Sequence, residues 1–170
     1  MSAFVAFVGV WTFAFWYDAN RPAPEPLDAA STRAAVTACR SAISSLSGLG
    51  AVPEPTDVDG RIARIRREDT VLRDLVAAFG AIHPTDHSGA DALRGFTTDW
   101  NDLTAARDRY AGKLSAGTAR PDLVIPVGPT KAPITIRMKE YAEIHRLTAC
   151  TPDSLQGEVV EGPRSYPRVP

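Results

Sequence analysis

Cysteine is nearly missing from this chain: Cys39 and Cys150 are its only two among 170 residues. So few thiols exclude a four-cysteine zinc site and a disulfide-dense miniature scaffold. Lysine is scarce too, since of nineteen basic residues only Lys113, Lys131 and Lys139 are lysine. Together with abundant Ala, Pro, Asp and Gly, this is the imprint of GC-rich codons and carries no information on partners. A formal net charge of −1 removes any global field that would draw in nucleic acid. No Walker loop, GxGxxG, CxxC, HExxH or GxSxG occurs, so nucleotide, redox, metalloprotease and hydrolase chemistries lack their usual signatures.

Charge is absent from one stretch above all. Residues 1–17, MSAFVAFVGVWTFAFWY, contain no charged side chain. As helix they would rise about 26 Å, close to a hydrocarbon core of ~30 Å. Trp16 and Tyr17 close the run with the amphipathic rings that favour the membrane interface, and Asp18, Asn20 and Arg21 follow in water. A cleaved signal peptide would need a basic start and a small residue where Tyr17 stands. The expectation is an uncleaved single-pass anchor over 1–17, although a start upstream of Met1 would give the same run. The two cysteines fit one disulfide in an oxidising compartment. The expected localisation is therefore the cell membrane, with everything after Tyr17 outside the cytoplasm.

Residues 18–27 hold the alternating prolines of RPAPEPL, an extended spacer. Three amphipathic helices follow. Leu27–Leu49 carries Val36, Cys39, Ile43 and Leu46 on one stripe, capped by Asp28 or Ser31. A second runs from Thr56 or Asp57 to Phe79, with Val58, Ile62, Ile65, Leu72, Val76 and Phe79 on its stripe and one interruption at Asp69. A third, from Asp86 or Ser88 to Leu114, repeats Leu93, Phe96, Trp100, Leu103, Tyr110 and Leu114. The four arginines of RIARIRRED (61–69) look like a membrane-surface or nucleic-acid patch, but Asp57–Arg61, Arg64–Glu68 and Asp69–Arg73 stand at i,i+4, which reads as a solvated face laced with ion pairs. Leu123–Val127 and Ile134–Arg137 read as a small β-hairpin around GPTKAP or as two extended segments, with Pro126 limiting the first to an edge. Met138–Leu147 returns to helix, and the Pro-rich residues 151–170 read as a mobile tail. The expected fold is mainly α: a transmembrane helix, then an antiparallel helical bundle over 28–150 with a small β-hairpin before the last helix.

The stretches DWNDLTAARDRYAGKL (99–114), PDLVIPV (121–127) and APITIRMKEYAEIHRLTACTPDSL (132–155) resemble an uncharacterised group of small actinobacterial single-pass membrane proteins. The residues that carry the likeness are Trp100, Arg107, Tyr110 and Ala111, then Pro133-Ile134-Thr135, and finally Cys150 with Pro152 and Asp153. His145 departs from it, standing where Asn is common. The resemblance implies the anchored topology and an extracytoplasmic helical domain, and it implies no activity.

Candidate sites are few. His83, Asp86 and His87 could present two imidazoles and a carboxylate to zinc, but HPTDH also reads as a turn and helix cap, so no metal is expected. The serines of SAISSLS lie on an Ala-rich helix without a base, so no nucleophile is expected. Cys39 and Cys150 are expected to form a disulfide tying the first helix to the end of the last. Asp69 and Arg107 each interrupt an apolar stripe, and counting back from the short second turn brings them within one helical turn, as an ion pair that fixes register. No catalytic residue and no cofactor is expected. The best-fitting role is non-enzymatic: an accessory or scaffold subunit of a cell-envelope membrane complex, partnered by the membrane and other envelope proteins. A lipid- or small-molecule-binding module using a cavity between helices is the alternative.

Overall fold

Asp28 starts the first helix by accepting from the Ala30 and Ser31 amides at 3.0 and 2.9 Å. Those bonds, the Ser31 amide first and its hydroxyl next, hold the Asp28 carboxyl down at about 2. The computed structural model describes residues 25–118, 121–129 and 131–155, and the backbone of 164–165. Helix α1, Ala29–Ser47, buries Ser31, Ala35, Cys39, Ala42 and Leu46, a row of mostly small side chains that admits close packing. Gly50, with φ +81°, and Pro53 then turn the chain.

Helix α2, Val58–Gly80, is capped by Asp57, and α3, His87–Ser115, by Asp86. Contacts of Arg61 with Tyr110, Asp69 with Arg107 and Phe79 with Phe96 run in opposite order along the two, so α2 and α3 are antiparallel. This hairpin is the spine: α1 lies on α2, and the last elements lie on α3 and α1. Leu93, Phe96, Trp100, Leu103, Tyr110 and Leu114 are all buried, as their spacing requires.

The segment after α3 departs from the expected hairpin. Strand β1, Leu123–Val124, pairs in parallel with β2, Arg164–Ser165, in the register Leu123 with Arg164 and Val124 with Ser165. Ile134–Arg137 is not a strand but the first turn of helix α4, Ile134–Ile144. Ile134, Met138 and Ala142 recur every four residues and are buried, so packing overrides the β preference of Ile-Thr-Ile. All that survives of the hairpin is one antiparallel bridge between Val127 and Pro133. A 3₁₀ turn, Thr148–Cys150, leads to the one-turn helix α5, Pro152–Leu155. Residues 151–155 are thus packed structure rather than mobile tail, because Leu155 is fully buried and α5 contacts α1 and α4.

The expected anchor over 1–17 lies outside the described residues. Among the described residues, no helix is long and apolar enough to cross a membrane.

Candidate functional site

The chemistry of the interior is concentrated on α2, where the expected solvated face turns inward. Arg61, Arg64, Glu68 and Asp69 are all buried. Of the three i,i+4 pairs, only Arg64–Glu68 forms, at 2.7 Å. Asp57 caps α2 instead, and Arg61 donates to the Tyr110 hydroxyl at 2.9 Å. Arg107 from α3 enters between neighbouring carboxylates, its Nε 2.5 Å from Asp69 Oδ1 and its Nη2 2.5 Å from Glu68 Oε2. Arg64 also donates to the Gly50 and Leu46 carbonyls, which fastens the α1–α2 connection to the cluster.

The expected Asp69–Arg107 pair therefore exists within a larger network that the sequence did not disclose. Glu68 immediately precedes Asp69, and one guanidinium can serve both only when it arrives between them. Asp69 Oδ2 has no hydrogen-bond partner among the described residues. Burial pushes the Asp69 carboxyl up to about 6, with Asp108 adding to the rise and Arg107 and Arg73 opposing it. These charges face one another, and Arg64 also borders a hollow beside Leu46, Gly50 and Asp153. Chemically, they tie the register of two helices.

The disulfide is present. Cys39 and Cys150 are joined across the core, 111 residues apart in sequence, with Cα atoms 5.3 Å apart. Both residues are fully buried.

A second polar centre lies between α3 and α4. Ala92, Gly95, Phe96 and Asp99 share one face of α3, and Arg137 and Tyr141 are one turn apart on α4. Arg137 grips Asp99 with two nitrogens, Nε to Oδ2 at 2.8 Å and Nη2 to Oδ1. Asp99 is buried and Arg137 is about a third exposed. The third guanidinium nitrogen lies against Gly128, where a side chain would bring Cβ to 2.7 Å from Nη1. Tyr141 stacks on Phe96 at 4.3 Å and packs against His145 at 4.1 Å. Its hydroxyl has no partner among the described residues, and burial pushes the phenol well above its usual range. Ala92, Gly95, Phe96, Asp99, Arg137 and Tyr141, with Thr98 and Pro129, border a hollow of about 430 Å³.

His145 closes the far end of this row. Its Nδ1 accepts the Leu27 amide at 2.9 Å, so the ring is neutral with its proton on Nε2. Burial lowers the imidazole, against an opposing pull from Asp86. Leu27, expected in the spacer, is itself buried and belongs to the domain. The signals for this centre were faint: Asp99 follows Phe96 by three residues, and Tyr141 and His145 are four apart.

The zinc candidates serve other ends. Asp86 accepts the Gly89 amide at 2.5 Å, and exposed His87 lies 3.2 Å from Asp91. Among the described residues, no group of three or more His, Cys, Asp or Glu converges on a metal-sized site. Compared with known proteins, the chain matches no family model, no curated protein and no solved structure.

Proposed function

We propose that this chain is a non-enzymatic, membrane-tethered accessory or scaffold subunit of a cell-envelope complex, with its helical domain working outside the cytoplasm. The Cys39–Cys150 disulfide carries the reading. A structural disulfide in a small helical domain persists where thiols are oxidised, and the uncharged residues 1–17 supply the tether. The inward-facing charges support a scaffold over an enzyme, since Arg64, Glu68, Asp69 and Arg107 are engaged in holding helices together. The resemblance to single-pass actinobacterial proteins points the same way.

Purification from the native source in mild detergent tests this role. Stoichiometric membrane partners are the expected result. Recovery of the protein alone, with an extractable small molecule, would refute the scaffold and favour the binding module, a second reading that the hollow between α3 and α4 supports. Topology is tested separately: a C-terminal reporter that works only in the cytoplasm should stay silent, and its activity would overturn the extracytoplasmic assignment.

A further inference from the structure

We propose that the hollow between α3 and α4 binds a small molecule with a flat apolar body and a hydrogen-bond-accepting head, of which an aryl carboxylate is the fullest match. Its volume of about 430 Å³ falls in the range of small-ligand pockets. Ala92, Gly95, Phe96 and Pro129 make its walls mostly apolar. A Cβ at Gly95 would meet nothing within 4 Å, so this wall stands open.

The polar groups at the hollow define the ligand's chemistry. The Tyr141 hydroxyl is a donor without an acceptor among the described residues. Arg137 gives Nε and Nη2 to Asp99, and its Nη1 makes no hydrogen bond among the described residues. Both Asp99 oxygens are already engaged by that guanidinium. Arg137 Nη1 is thus one open donor and the buried Tyr141 hydroxyl a second that a ligand must uncover, while both oxygens of the lining carboxylate Asp99 are taken, which favours an acceptor over a cation. Leaving a buried donor unmet is unfavourable, and a ligand oxygen would relieve it. This inference stands on the groove alone and does not require the tether or the complex.

The test uses the full chain purified in mild detergent, with 2-naphthoate as probe and protein-free detergent as control, read by saturation-transfer NMR. Native protein should bind naphthoate with saturable transfer, and 2-naphthylmethylammonium, the same body with a cationic donor head, should not bind. Tyr141→Phe should weaken naphthoate about five- to tenfold, the worth of one hydrogen bond, while melting no lower than native. Gly95→Leu should fill the hollow and abolish binding, again without a lower melting temperature, because leucine favours helix more than glycine does. The proposal is overturned by absence of transfer at millimolar naphthoate, by equal binding of the ammonium probe, or by undiminished binding in a folded Gly95→Leu variant. None of these readouts depends on whether membrane partners co-purify.

Discussion

Asp69→Asn is the substitution that most directly tests the physics of the buried cluster. It keeps the shape of the side chain and removes its titration. In the native fold the Asp69 carboxyl is raised from 3.8 to about 6, chiefly by burial. A raised folded-state value stabilises the fold fully below the unfolded value, and that stabilisation is lost as pH climbs through the folded one. The shift corresponds to about 3 kcal/mol in all, of which about 2–3 kcal/mol falls between pH 4 and pH 8. Urea denaturation of native and Asp69→Asn protein across that range isolates the effect, since every other titrating group is common to both. The native advantage over the variant should be larger at pH 4 and shrink by about 2–3 kcal/mol by pH 8. A flat difference would mean that Asp69 does not titrate in this window. A difference growing with pH would mean that Arg107 attraction outweighs burial, which would refute the reasoning.

The disulfide, closing a separation of 111 residues, should contribute about 4–5 kcal/mol in the chain-entropy model; denatured, unreduced protein should titrate no thiol, and two thiols would also undo the compartment assignment. His145, lowered by burial, contributes stability present above its unfolded value of 6.5 and lost as pH falls below it. His145→Asn, whose Oδ1 can accept the Leu27 amide without titrating, should show a shallower loss between pH 7 and pH 5 in the same denaturation assay, and an unchanged slope would exclude His145 as its source.

The helices were legible because their stripes are long: three heptads on α3 leave no other assignment for Phe96, Trp100 and Leu103. The Cys39–Cys150 bond followed from an even pair in a chain that otherwise avoids cysteine, and the Asp69–Arg107 contact from stripe position and a short turn. What failed did so for identifiable reasons. Acid–base pairs at i,i+4 look alike whether solvated or buried, and only the arrival of α3 decides that Arg64 and Glu68 face inward. Because Arg107 also holds Glu68, removing Asp69 would not strand the guanidinium, as a lone pair would have required. Ile134-Thr-Ile favours strand locally, and the helical period only becomes visible when Met138 and Ala142 are counted with it. The Asp99–Arg137 grip joins residues 38 apart across separate elements, with no local signal to announce it.

The position of the disulfide has a mechanical consequence. If the domain is pulled between Leu27 and Leu155, tension enters through the first half of α1 and passes at Cys39 straight across the sulfur bridge to Cys150. The chain between those cysteines, including α2, α3, β1 and α4, forms a covalently closed loop outside the path of that force. Only the α1 turns before Cys39 and the short segment after Cys150 can lengthen under it. In oxidised form the domain would behave as a nearly inextensible link between whatever holds its two ends, and in reduced form as a long, compliant one.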